Sequence, residues 1–170
     1  MHNGNFEDVF DKIHRLLAKG MYEEVIGFIF NKKNRTLVKR YVCDKNHAWY
    51  IIGDCFLNLN NYMEASKAFR NALIYRRNDH QAMFALAYVY SEQGKPELAK
   101  RYLRKIMMTS GWTEQCAYNL ANAYFDCGEY EKAIKYYHEV VANKGELMPF
   151  AKKNITSARM RIRKPGACHE

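Results

Sequence analysis

Apolar residues recur along this chain at two nested periods. Within short windows they fall at i, i+3, i+4 and i+7, as at Trp49, Ile52, Gly53 and Phe56, which is one face of a 3.6-residue helix. Over longer distances the same arrangement returns at one constant offset. Ala65, Ala99 and Ala133 form one column; Phe56, Tyr90 and Tyr124 a second; Gly53, Ala87 and Ala121 a third. Ile52, Leu86 and Leu120, then Phe69, Leu103 and Tyr137, then Ala72, Ile106 and Val140 complete six columns over three units. Agreement of that extent is not chance, and an internal repeat decides the architecture before any other feature.

Each unit divides into two helices. The breaks fall at Asn60-Asn61, at Gly94 to Pro96 and at Gly128-Glu129. Gly94 and Gly128 suit the left-handed residue that ends a helix, and Pro96 suits the first turn of the next. Small residues in the Gly53 and Ala65 columns let paired helices approach, while larger neighbours fill the space between them. A degenerate copy precedes the full units: Leu16, Gly20, Tyr22 and Val25 stand in the order and spacing of Phe56, Asn60, Tyr62 and Ala65, at an offset longer than the repeat. The excess places an insertion near Asn34–Asp44, bounded here at 40–45. The units are then 6–39, 46–79, 80–113 and 114–147 within one domain spanning 1–170. Residues 148–163, with Phe150, Ile155, Ala158 and Ile162, read as a charged closing helix, and 164–170 as a flexible tail. Repeat arrays need atypical polar ends to cover their last apolar faces.

The pattern Trp49-x-x-Ile52-Gly53-x-x-Phe56, followed by Tyr62, Ala65, Phe69 and Ala72, resembles a tetratricopeptide repeat. The proline usual near the end of such a unit is replaced by Arg77, Gly111 and Gly145. The resemblance covers nearly the whole chain and implies an all-α fold, a right-handed α-solenoid of antiparallel helix pairs with a C-terminal capping helix. In layout the chain is similar to small bacterial chaperones of secretion translocators, although those tend to be acidic.

In this family the first helix of each pair lines a concave side that usually takes a peptide. Positions one and five beyond the Trp49 column supply Tyr50 and Asp54, Phe84 and Tyr88, and Tyr118 and Asn122, with Phe10 and His14 from the degenerate copy and Asn119 alongside. One aromatic recurs in all four copies: Phe10, Tyr50, Phe84 and Tyr118. Neighbouring helices lie about 8–10 Å apart, so these rings are expected to form a ladder suited to an amphipathic or extended segment; the same spacing also fits rings packed between helices. Family members that grip a C-terminal carboxylate use Lys, Arg and Asn at set positions. Here the matching positions carry Tyr50, Asp54, Ala85, Gln115 and Asn119, from which no such clamp can be built.

The formal net charge is +9, from 27 Lys+Arg against 18 Asp+Glu. Much of it lies on second helices, where Lys67, Arg101 and Lys135 recur with the repeat and Arg70 and Arg104 follow one turn later. A basic convex stripe is expected, helped by Lys100 and Lys105, and it offers an alternative role: contact with an acidic protein or RNA, with strong salt dependence. No nucleic-acid-binding motif accompanies it. Self-association into a homo-oligomer is a third possibility for the aromatic face.

Chemistry of other kinds finds no support. There is no Gly-rich phosphate loop, His-Glu-x-x-His or nucleophile elbow, so no enzyme activity, cofactor or metal is expected. The histidines at 2, 14, 47, 80, 138 and 169 lack metal-ligand spacing. Five cysteines without a Cys-x-x-Cys pair point to reduced thiols; Cys55, Cys116 and Cys127 lie near core columns as small hydrophobes. The start has no secretory signal pattern, and no apolar run reaches the ~20 residues that span a bilayer, so a cytoplasmic location is expected.

Overall fold

The computed structural model describes residues 8–163. Its helices are α1 Asp8–Ala18, α2 Tyr22–Ile29, α3 Lys45–Asn58, α4 Tyr62–Tyr75, α5 His80–Glu92, α6 Pro96–Ser110, α7 Glu114–Asp126, α8 Tyr130–Asn143 and α9 Met148–Arg163. Between α2 and α3 stand two short antiparallel strands, β1 Phe30–Asn31 and β2 Thr36–Leu37, and a 3₁₀ segment, Lys39–Asp44. The helical period does not announce this hairpin: α2 stops at Ile29, and the hairpin with the 3₁₀ turn fills residues 30–44, a longer stretch than the excess bounded at 40–45. The tail 164–170 and the Cys168-His169 pair lie outside the described residues.

The turn inside each helix pair is built the same way in all four copies. Gly20, Asn60, Gly94 and Gly128 take left-handed backbone, with φ of 70°, 56°, 65° and 75°. The next residue then donates its N–H back across the turn: Met21 to Leu16 O at 3.0 Å, Asn61 to Phe56 O at 2.8 Å, Lys95 to Tyr90 O at 2.8 Å and Glu129 to Tyr124 O at 2.9 Å. This 6→1 bond satisfies a carbonyl that the helix end would otherwise leave open. Gly20 in the first pair thus shares the turn geometry of Asn60, Gly94 and Gly128. Helix starts are capped locally: Asp44 accepts from His47 N at 3.0 Å, Asn61 from Glu64 N at 3.2 Å, and Thr113 from Cys116 N at 3.2 Å.

The chain divides into two compact units, one ending at Val89 and the other beginning at Tyr90, inside α5. In the first, Ile13, Val25, Ile26, Ile29, Ile52 and Cys55 form the core, closed by Tyr41 from the 3₁₀ segment. Phe69 of α4 is fully buried and lies over Gly53 of α3. In the second, Leu103, Leu120, Tyr137 and Val140 are buried together with the small residues Ala99, Ala117, Ala121 and Ala133.

Helix α9 packs on α8 with Ala151, Ile155 and Ala158 buried. These residues stand one repeat after Ala117, Ala121 and Tyr124, so the closing helix occupies the register of a further first helix. No helix among the described residues is long and apolar enough to cross a membrane.

Candidate functional site

The first-helix face of the first unit carries Tyr50 and Asp54 on α3, Phe84 and Tyr88 on α5, and Phe10 and His14 on α1. Tyr88 is 50% exposed, His14 is exposed, and the others are half-buried. The ring of Tyr50 packs on Phe69 at 5.6 Å between centroids. Burial lifts the Asp54 carboxyl above its ordinary value, and burial followed by the nearby Asp54 and Asp79 charges lifts the Tyr50 phenol. Neither the Tyr50 hydroxyl nor the Asp54 carboxylate has a hydrogen-bond or ion-pair partner among the described residues. The carboxylate's oxygens are open to solvent and so can accept a hydrogen bond from a group that binds there.

At the start of the same face, Phe10 packs edge-on to His47 at 4.8 Å and tilted to Tyr41 at 5.5 Å, while His14 lies 5.7 Å from His47. Burial holds His47 below its ordinary value; His14 and Arg76 push the same way, Asp44 and Asp79 against it. Buried Asn46 donates to Ala72 O at 3.1 Å and to Asp79 Oδ2 at 2.9 Å. Asp79 in turn caps α5 by accepting from Ala82 N at 3.1 Å, so one carboxylate ties α3 to the start of α5.

In the second unit the equivalent face is engaged by the chain itself. Tyr118 packs on Tyr137 at 5.9 Å. The Tyr137 hydroxyl donates to Asn122 Oδ1 at 2.6 Å, and Asn154 Nδ2 of α9 lies 3.2 Å from Tyr118 Oη, Asn122 Oδ1 and Tyr137 Oη. Asn119 lies half-buried beside them on α7. Asn154 holds the position that Ile52, Leu86 and Leu120 fill in the preceding units. The polar substitution in an apolar column is the signal that could have located this network from sequence.

The rings of Tyr50 and Tyr118 lie against the second helix of their own pair, on Phe69 and Tyr137, an arrangement that the repeat spacing also allows.

The basic columns separate into two kinds. Arg70, Arg101, Arg104 and Lys135 are exposed, and Lys67 pairs with Glu64 at 2.5 Å. Lys100 does not join a solvated stripe: its side chain is only 12% exposed, with the ammonium bonded to Glu97 at 2.8 Å and to Glu129. It sits there because Glu97 at the start of α6 and Glu129 before α8 present carboxylates to the same point. Cys127 joins them, its sulfur and the two carboxylates lying within 4.8 Å of one another. Sequence spacing missed this group because its members come from different helix pairs. These donors could hold a metal ion only by expelling Lys100, which already supplies the positive charge.

Cys55, Cys116 and Cys127 are poor nucleophiles. Burial pushes Cys55 up to about 12 and Cys116 to about 11, and burial with a hydrogen bond to Glu97 pushes Cys127 to about 11.

Comparison with known proteins agrees with this architecture. Residues 47–79 match the tetratricopeptide repeat family, and residues 69–140 match the family described as anaphase-promoting complex, cyclosome, subunit 3. Tetratricopeptide repeat protein 21A of Mus musculus is 30% identical over 90 residues, which is 53% of this chain and 7% of that protein's length. The structure of MamA residues 41-end from Desulfovibrio magneticus RS-1 superposes with a TM-score of 0.72 at 21% identity, covering 91% of this chain and 89% of that one. The Sgt2 TPR domain from Aspergillus fumigatus gives 0.61 at 16% identity, covering 74% and 87%. YrrB, described as a TPR protein with an unusual peptide-binding site, gives 0.68 at 16% identity, covering 94% and 75%. The fold is the all-α fold of tetratricopeptide-repeat solenoids.

Proposed function

We propose that this protein is a non-enzymatic interaction module that binds a segment of a partner protein on the first-helix face of its first unit. Tyr50, Asp54, Phe84 and Tyr88 form the contact surface, with Phe10 and His14 at its amino-terminal edge. The observation that carries the reading is the Asp54 carboxylate, half-buried beside Tyr50 and without a partner of its own. A bound segment would place a backbone N–H, an amide or a cationic side chain there, and lay apolar side chains on the neighbouring rings. Tyr118, Asn119 and Asn122 belong to the same face of the third full unit, where Asn154 of α9 now takes two of them. Tyr118 and Asn122 support the closing helix, and all three stand outside the proposed contact. That one of the structural relatives is described as having a peptide-binding site fits this reading.

The test is a pull-down from host lysate with and without nuclease and high salt, read by mass spectrometry. Asp54→Asn and Tyr88→Ala are compared with the unaltered protein, each checked for an unchanged helical spectrum. A partner captured under both treatments and lost in both variants supports the proposal. Retention of that partner by folded variants overturns it. Loss of all binding under nuclease or salt would move the function to the exposed arginines and an anionic partner.

A further inference from the structure

The Asp54 face carries a local charge opposite in sign to that of the whole chain. Asn46, Tyr50 and Asp54 follow one another at single-turn spacing along α3. Asn46 donates to Asp79 Oδ2 at 2.9 Å, and Asp79 Oδ1 accepts from Ala82 N at 3.1 Å, which fixes that carboxylate beside the start of the row. Along the helix Tyr50 therefore stands between two carboxylates, Asp79 and Asp54. After burial, the charges of these two raise its phenol. Asn58, one turn beyond, gives its Nδ2 to the Asp54 backbone carbonyl at 2.8 Å and not to the carboxylate.

The chain supplies no cation to offset this pair. Neither Asp54 nor Asp79 forms an ion pair among the described residues. Arg76 and His14 act on His47, nearer the start of α3, but among the described residues no cation acts on Tyr50 or Asp54. With a formal net charge of +9, the protein as a whole repels a basic segment at long range. The two carboxylates attract a single cation at contact.

We infer that the Asp54 face takes one arginine side chain, presented by an otherwise uncharged segment of the partner protein. The inference rests on the contact surface proposed for this unit and names the group that enters it. A carboxylate and a half-buried aromatic ring one turn apart offer the two contacts a guanidinium makes best, forked N–H bonds to the carboxylate and stacking on the ring. A lysine ammonium reaches the same carboxylate only as a point charge. A neutral amide would leave both carboxylates without a countercharge as binding removes water from the face, and an acidic side chain would meet two like charges. Further cations on the segment would meet the chain's net positive field, and further anions the two carboxylates, so neutral flanks fit both.

The Tyr50 backbone amide resonance of the full chain reports occupancy. It is followed at about 0.15 M salt, where screening weakens the long-range repulsion more than a contact pair. The titrants are acetyl-Ala-Leu-Arg-Leu-Ala-amide and the same peptide with Lys, Gln or Glu in place of Arg. The expected result is a saturable shift that is strongest with the arginine peptide. Its affinity should fall about tenfold or more in Asp54→Asn and recover in part in Asp54→Glu, with circular dichroism checking both folds. It should also weaken as pH drops through the Asp54 pKa, because only the ionised carboxylate attracts a cation. An equal response to the glutamine peptide, or an affinity unchanged in Asp54→Asn, overturns the cation. An equal response to the lysine peptide overturns the guanidinium, and a stronger response to the glutamate peptide overturns the sign of the field. No response to any peptide overturns the inference, while the lysate capture with Asp54→Asn and Tyr88→Ala judges the contact surface independently.

Discussion

A β-carbon placed on Gly53 would stand 2.7 Å from the ring of Phe69. Helices α3 and α4 can approach as they do only because Gly53 has no side chain, and the buried ring cannot move without disturbing its neighbours. Gly53→Ala is therefore expected to lower stability by about 1–3 kcal/mol despite alanine's better helix propensity. Gly27, inside α2 with nothing within 4 Å of the same construction, supplies the control. Gly27→Ala is expected to raise stability by about 0.5–1 kcal/mol. Urea midpoints of the two variants should move in opposite directions.

Asn154 fastens α9 to the second unit through Tyr118, Asn122 and Tyr137. Asn154→Ala removes the donor and leaves a gap, with an expected loss of about 1–3 kcal/mol. Asn154→Leu restores the aliphatic type of its column and should cost less. Hydrogen exchange should show the change in α9 amides, with α1 amides unmoved.

His47 gives the first unit a pH dependence of definite sign. Its folded-state pKa lies below the ordinary value of 6.5, so the unfolded chain takes up the proton first. Stability then falls as pH drops through about 6.5 and continues to fall until the folded-state value is passed. His47→Phe should flatten that part of the curve. The check is thermal midpoints between pH 7.5 and pH 5, compared with the unaltered protein.

Thiol labelling tests the Lys100 cluster. In a Cys43→Ser/Cys168→Ser background at pH 8, the remaining cysteines should react much more slowly than a free thiol, because burial keeps them protonated. Glu97→Gln removes a carboxylate that raises the Cys127 thiol and should speed its reaction by up to about tenfold. A rate unchanged in that variant would place Glu97 outside the cysteine's surroundings.

The sequence by itself determined the repeat, the positions of the turns and the small-against-large pairing of helices. These depend on local periodicity, on left-handed turn residues at Gly94 and Gly128, and on columns such as Gly53 with Phe69. Each is a short-range property that the repeat displays several times over. The hairpin, the turning of Tyr50 onto Phe69, the seat of Asn154 among Tyr118, Asn122 and Tyr137, and the capture of Lys100 by Glu97 and Glu129 were decided only by tertiary structure. They involve single residues that break the period, or side chains brought together from separate helix pairs. A helical face predicts which residues are available, but the nearest ring, carboxylate or amide in space determines which way each side chain turns.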